Sequence, residues 1–240
     1  MFERGRPPPF IHTLHLGNKI RTPLLNCIRV LSGLKDSLLR DISVIHNDAS
    51  NEIITLLAGY KDYDEDDLLA ALQAYVLYTI LLLFSDGNCD RPHRIEQGII
   101  FGLQDISLQL AASGVVLNAE LNSEIPDWSE WVVVAAKRRS ILAAHQVLWI
   151  WSLLRGYPPF GCRELGFMPS PAPKVLWDSQ GDDWQCLYQN WASRWPGGPH
   201  RLEELQILGP EVDIDPRTQT WLEEADEFGL LLMSEVNSIH

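Results

Sequence analysis

The stretch from Trp128 to Leu154 contains neither proline nor glycine, and it limits what this chain can fold into. As one helix, about 27 residues extend roughly 40 Å. Its apolar residues lie on more than one face, so we expect neighbouring elements to surround it. A second stretch, Leu68 to Phe84, is apolar almost all round. Two such helices need other helices to cover them, and the sequence therefore predicts an all-α protein.

Composition sets the scale of that fold. The chain has 240 residues, of which 46% are apolar and 21% are charged, values typical of a globular domain. We expect a single irregular multi-helix domain with two central apolar helices and a proline-rich loop. Residues 18–240 form this helical domain, and residues 1–17, which include Pro7-Pro8-Pro9, form a flexible arm. His12 and His15 in the arm have the spacing of metal ligands, but solvent-facing side chains are the preferred interpretation.

Two further segments complete the predicted domain. Between Gly156 and Pro173, the prolines exclude a helix interior and indicate a constrained loop, which persists in a compact domain when it is well packed or functional. Thr218 to Ser234 has the pattern of one acidic amphipathic helix. Docking of its apolar face onto the domain is favoured over the alternative, an activation segment that recruits partners.

Net charge and cysteine spacing restrict the function. The formal charge of −13 repels a phosphate backbone, so we expect no direct nucleic-acid binding. The four cysteines are scattered singly and do not form the pairs that structural zinc sites use, so no metal site and no cofactor are predicted. The charge-free stretch from Leu68 to Ser85 is marginal for a bilayer, and its polar residues favour burial in protein, so we expect no membrane association.

The basic triplet Lys137-Arg138-Arg139 lies in the middle of the long helix. Three adjacent residues span about 200° of a helix, so at least one must face the packed side. A cation there requires a carboxylate, a carbonyl or an anionic ligand. An internal ion pair with a carboxylate such as Glu130, Asp105 or Asp127 is favoured over anion binding, and both interpretations stay open.

Several motifs occur in a fixed order along the chain. They are W-x2-W at Trp128, the K-R-R triplet, G-Y-P-P at Gly156, C-R-E-L-G-F-M-P, P-A-P-K-x-L-W and the Trp-rich segment that ends at Trp195. This order resembles the regulatory domain of fungal transcription factors whose DNA-binding part is a binuclear zinc cluster. The resemblance extends upstream to YDEDDLLAALQAYVLYTILLLF and downstream to TWLEEADEFGLLLM. It implies a helical domain that forms the effector-sensing or inhibitory part of such a protein.

The resemblance leads to three hypotheses. The first is a regulator of fungal metabolism, specifically of secondary metabolism. This regulator lacks its own zinc cluster and acts in the nucleus through protein partners. The second is a repurposed cytoplasmic enzyme, an isomerase, cyclase or dehydratase acting on a hydrophobic intermediate. The third is a non-catalytic interaction module. Whether the chain is an enzyme stays open, because the sequence contains no standard catalytic motif. The candidate residues for a ligand or anion are Arg138, Arg139, His145, Trp149 and Cys162.

Overall fold

The computed structural model describes residues 6–17, 19–34, 41–84, 93–158, 163–205 and 213–236. Within these ranges the chain forms α-helices and no β-strand, which confirms the prediction of an all-α fold. The helices are α1 (Thr22–Ser32), α2 (Ile42–Gly59), α3 (Glu65–Phe84), α4 (His93–Ala112), α5 (Asn118–Leu121), α6 (Trp128–Arg155), α7 (Lys174–Trp177), α8 (Gly181–Ala192), α9 (Leu202–Leu205), α10 (Pro216–Glu224) and α11 (Glu227–Val236).

The chain divides into two compact units. Unit 1 consists of Met1–Ser113 and Ser140–Leu148, so it contains α1 to α4 and the middle of α6. Unit 2 consists of Gly114–Arg139 and Trp149–His240, so it contains both ends of α6 and the remaining helices. The predicted boundary between an arm and a helical domain at residue 17 stays a prediction.

Helix α3 is the centre of unit 1. It packs against α1, α2 and α4, and its side chains are buried on all sides from Leu68 to Thr79. By length and hydropathy this helix could cross a membrane, yet 78% of its most apolar window is buried inside the protein. The polar Gln73 is fully buried, where its amide donates to the carbonyl of Phe10 at 3.3 Å. The burial of α3 on all sides is what its apolar sequence pattern predicts.

Helices α3 and α4 approach closely at Gly102. A Cβ at this glycine would lie 2.3 Å from the Tyr75 hydroxyl and 2.7 Å from a methyl group of Leu57. The Tyr75 hydroxyl also donates to the carbonyl of Ile99 at 3.0 Å, so it ties α3 to α4 at the same level. The lack of a side chain at position 102 therefore permits this contact.

The N-terminal segment is packed where the structure describes it. Phe10 and Ile11 are buried, and a short 3-10 helix follows at Thr13–Leu16. His12 is buried and its Nδ1 accepts a hydrogen bond from the Leu14 amide at 3.1 Å, so the expectation of a solvent-facing His12 is wrong. Anchoring by Phe10 and Ile11 accounts for this burial. Among the described residues, no three metal-ligating side chains cluster together.

Helix α6 has the length that the sequence predicts. The Asp127 side chain caps its first turn by accepting from the Ser129 amide at 2.9 Å. At its end, Gly156 adopts the left-handed conformation, with φ of 68°, which glycine accommodates without steric cost. Most side chains between Trp131 and Ser152 are buried, as expected for a helix that is apolar on more than one face.

The C-terminal segment differs from its prediction in one respect. Its apolar face is docked, with Trp221, Phe228 and Leu232 buried, but the segment forms two helices and not one. The break occurs at Ala225, whose ψ of 133° is extended. Asp226 then caps α11, because its carboxylate accepts from the Gly229 amide at 2.9 Å.

Candidate functional site

All three residues of the basic triplet are buried in unit 2. Lys137 is 1% exposed, and its Nζ donates to the carbonyl of Gly114 at 3.0 Å. Arg138 and Arg139 are 6% and 2% exposed. Sequence reasoning required only one of the three to face the packed side. Unit 2 instead surrounds this part of α6, so each cation needs its own partner.

Arg138 forms a two-pronged ion pair with Glu120. One guanidinium nitrogen donates to Oε1 at 3.0 Å and the other donates to Oε2, while Nε donates to the carbonyl of Val115. The Glu120 carboxylate also accepts from the Leu117 amide at 3.2 Å. The pair is desolvated, since the two side chains are 8% and 2% exposed. It fixes the short helix α5 to α6.

Arg139 pairs with Asp226 at 2.7 Å and also donates to the carbonyl of Ala172 at 3.0 Å. Its guanidinium carbon lies 4.4 Å from the ring centre of Trp177 and 5.2 Å from that of Phe228, within the range of a cation–π interaction. Burial lowers the pKa of Arg139, and the Asp226 carboxylate acts in the opposite direction. Arg139 therefore joins three parts of unit 2: the proline-rich loop, α7 and the start of α11.

The proline-rich loop is held by three further hydrogen bonds near Ser170. The Ser170 amide donates to the carbonyl of His200 at 2.7 Å, and its hydroxyl lies 2.8 Å from His200 Nδ1. Trp221 Nε1 donates to the carbonyl of Pro171 at 3.0 Å. A loop whose polar backbone groups have partners can be buried at low cost. The part of the loop around Ser170 and Pro171 is thus packed against the rest of unit 2.

Ser170, His200 and Glu204 resemble a hydrolytic triad in composition but not in geometry. The Glu204 carboxylate lies 4.0 Å from His200 Nε2, and it is instead bound on both oxygens by Arg217 at 2.7 and 3.1 Å. His200 Nε2 contacts the hydroxyl of Thr218 at 3.1 Å. A base that activates serine requires its second nitrogen to be oriented by an acid. His200, 1% exposed, therefore cross-links the loop and α10.

Burial sets the protonation of His200. Desolvation lowers the pKa of its imidazole to about 4, because the charged form is disfavoured away from water. The ring is also stacked on Trp221, with ring centres 5.4 Å apart and planes 13° apart. At neutral pH the ring is uncharged, and it shares hydrogen bonds with two hydroxyl groups.

Aromatic side chains form a continuous ladder through unit 2. Neighbouring ring centres lie 4.7 to 6.2 Å apart along the series Trp131, Trp184, Tyr188, Trp191, Trp195, His200 and Trp221. All these rings are buried. The aromatic row on α8 therefore packs into the core of the unit.

A pocket of about 380 Å³ opens beside the Arg138–Glu120 pair. Its lining comes from both ends of α5, from the proline-rich loop and from the loop between α8 and α9, and consists of Val116, Glu120, Leu121, Phe167, Pro169, Gly197, Gly198, Pro199 and Arg201. Phe167 and Leu121 are exposed large apolar residues. This concave surface is a candidate binding site.

The sequence-predicted site residues that the structure describes are divided between the two units. Arg138 and Arg139 lie in unit 2 with separate carboxylate partners, and Trp149 is buried in the same unit. His145 is buried and belongs to unit 1. Cys162 lies outside the described residues. Ligand or anion binding by this set stays a prediction.

The carboxylate partners of Arg138 and Arg139 differ from those that the sequence suggests. Glu120 and Asp226 accept the ion pairs, and they are not among Glu130, Asp105 and Asp127, which the sequence suggests. Glu120 lies in the first turn of α5, where an acidic side chain is favoured, but this preference does not indicate an arginine partner. For Asp226 no local pattern indicates a partner so distant in sequence.

Comparison with curated proteins finds a similarity to a fungal protein. The chain is 27% identical over 176 residues to a protein named Transcription factor gsfR2 from Penicillium aethiopicum. The match covers 70% of this chain and 39% of that protein. The chain is thus similar to a fungal transcription factor and spans about two fifths of its length. No protein-family profile matches the chain. No solved structure matches it.

Proposed function

We propose that this chain is a regulatory domain of the fungal transcription-factor type, which controls gene expression through protein partners. The observation that carries the proposal is the 27% identity to a fungal transcription factor across 70% of the chain. The nucleus is the compartment that such a role requires. As target genes we propose those of fungal secondary metabolism.

The packing of the motif residues supports a non-catalytic role. Arg139, Trp177 and Phe228 come from three of the motifs that carry the family resemblance, and they meet in one buried contact. Arg138 is likewise committed to Glu120. These residues stabilise unit 2, because their charged and aromatic groups are in contact with one another and with other parts of that unit.

Charge argues against direct DNA contacts by these residues. The net charge of −13 opposes a phosphate backbone, and the cations of the basic triplet are buried. We expect that the purified chain does not bind duplex DNA with submicromolar affinity in a gel-shift assay. A salt-sensitive shift at that affinity would contradict this part of the proposal.

A deletion strain tests the function itself. Transcripts and metabolites are compared in the wild type, the deletion strain and the deletion strain carrying the restored gene. We expect a set of transcripts to fall or rise on deletion and to return on restoration. Changed metabolites with unchanged transcripts would contradict the proposal and favour an enzyme.

A tethering experiment separates a regulator from a passive interaction module. The chain is fused to an unrelated DNA-binding domain, and reporter expression is measured in a fungal host. We expect expression to differ from that with the DNA-binding domain alone. As a control, the same fusion with Arg139→Ala should lose the effect, since this change removes the central ion pair of unit 2.

A further inference from the structure

The pocket beside Glu120 has apolar walls from three separate segments of unit 2. Val116 and Leu121 flank helix α5, Phe167 and Pro169 belong to the proline-rich loop, and Pro199 follows α8. A volume of about 380 Å³ lies within the range of small-molecule sites, roughly 300–1,000 Å³. The space suits one small ring compound and not a helix, whose diameter is about 10 Å.

The two charged residues of the lining play different parts. The Glu120 carboxylate is neutralised by Arg138 and accepts a further bond from the Leu117 amide, so it presents no free charge. Arg201 is exposed and pairs with Glu203 only at 3.5 Å. A guanidinium carries several N–H donors in a planar fork, so Arg201 retains donors for a ligand. Arg201 is therefore the lining residue that can pair with an anionic group of a ligand.

Exposed apolar residues also line the pocket. Phe167 is 53% exposed and Leu121 is 61% exposed. When a ligand covers exposed apolar side chains at a concave site, their removal from water favours binding. An aromatic ring against Phe167 would also gain from ring–ring contact.

We propose that this pocket binds a small, flat, apolar anion, that is, an aromatic carboxylate or sulfonate. Its ring system lies against Phe167 and Leu121, and its anionic group pairs with Arg201. Binding would join α5, which Glu120 fastens to Arg138, to the proline-rich loop, which Arg139 fastens to α11. Regulation by such a ligand rests on the proposed function, whereas binding of the ligand does not.

The probe for this site is 8-anilinonaphthalene-1-sulfonate, an aromatic anion whose fluorescence rises in apolar surroundings. Its neutral relative N-phenyl-1-naphthylamine has the same rings without the sulfonate. Titration of the purified full chain with each probe gives a dissociation constant. We expect saturable binding of both, with the anion binding more tightly.

Variants of Arg201 test the charge. Arg201→Gln should weaken binding of the sulfonate probe roughly tenfold, the effect of losing one hydrogen bond to a charged group, and should leave the neutral probe unchanged. Arg194→Gln is the matched control, since Arg194 is also exposed and paired with a glutamate but does not line the pocket. Equal affinity of the Arg201→Gln and wild-type chains for the sulfonate probe would refute the assignment.

A filling variant tests the location. Val116→Trp should abolish binding of both probes, because Val116 lines the pocket and an indole in its place takes up part of the space. Ile54→Trp adds the same group at an exposed site in unit 1 and should have no effect. Circular dichroism confirms folding of each variant, and Leu121→Ala serves as a second variant if Val116→Trp does not fold. Unchanged binding after Val116→Trp, or after Leu121→Ala in its place, would show that the probe binds another apolar surface and that the proposal is wrong.

The tethered reporter distinguishes this inference from the proposed function. A reporter effect in a chain that binds neither probe refutes the ligand site alone. Probe binding that is lost in Val116→Trp, in a chain without any reporter effect, supports the site and contradicts the regulatory role. A reporter effect that Arg201→Gln alters and Arg194→Gln does not would support both.

Discussion

Arg139 and Asp226 are 87 positions apart in the chain, yet they form a buried ion pair of 2.7 Å. Their side chains are 3% and 5% exposed. A charge pair in such an environment is costly to break, because the remaining charge loses its counter-ion in a place that is shielded from water. This contact connects the long helix α6 to the start of α11.

Replacing Arg139 with Ala should therefore lower the free energy of unfolding by roughly 3–5 kcal/mol. Urea denaturation followed by circular dichroism measures the change. Arg194→Ala breaks an exposed pair with Glu224 and should cost about 1 kcal/mol or less. Equal losses in the two variants would mean that the burial of Arg139 has no energetic consequence.

The protonation of His200 should make stability depend on pH. Its pKa is lowered to about 4 in the folded protein, against 6.5 for the ordinary value. Between these values the unfolded chain binds a proton that the folded chain does not, so stability is complete above pH 6.5 and falls as pH falls toward 4. The slope approaches about 1.4 kcal/mol per pH unit for one proton.

His15 also has a pKa lowered to about 4, so the contribution of His200 requires a comparison with a variant. Denaturation of the wild type and of His200→Gln is measured from pH 4 to pH 7.5. We expect the variant to be less stable at neutral pH and to lose less stability on acidification. Parallel curves for both proteins would assign the pH dependence elsewhere.

The hydrogen bond from Trp221 to the carbonyl of Pro171 should be measurable by comparing two conservative variants. Trp221→Phe removes the N–H donor and leaves the carbonyl without that bond. Trp184→Phe makes the same change at a buried indole whose Nε1 has no hydrogen-bond partner among the described residues. Because both variants lose similar volume, the extra loss in Trp221→Phe, roughly 1–3 kcal/mol, reports the hydrogen bond.

Two glycines of α4 should respond to alanine in opposite directions. At Gly102 a Cβ would meet the Tyr75 hydroxyl at 2.3 Å, so Gly102→Ala should destabilise by roughly 1–3 kcal/mol. At Gly98 nothing lies within 4 Å, so Gly98→Ala should stabilise the helix by roughly 0.5–1 kcal/mol. Thermal unfolding of the two variants checks both signs. Stabilisation by Gly102→Ala would mean that α3 and α4 are less close than described.

The sequence by itself determined the all-α class and the two most apolar helices. Hydrophobic periodicity depends only on residues a few positions apart, so it predicted the all-α fold and the burial of α3 and α6. The helical period also predicted that at least one residue of the basic triplet faces the packed side. The capping signals at Asp127 and Gly156 are equally local and fall at the ends of α6.

Only the tertiary structure decided the partners. Glu120 and Asp226 lie 18 and 87 positions from their arginines, and they are not among the carboxylates that the sequence suggests. The break at Ala225, which separates α10 from α11, was equally hidden, since the apolar face continues through it. An ion pair forms where the packed helices bring opposite charges within about 4 Å, and that distance is set by the packing of many side chains and by no local pattern.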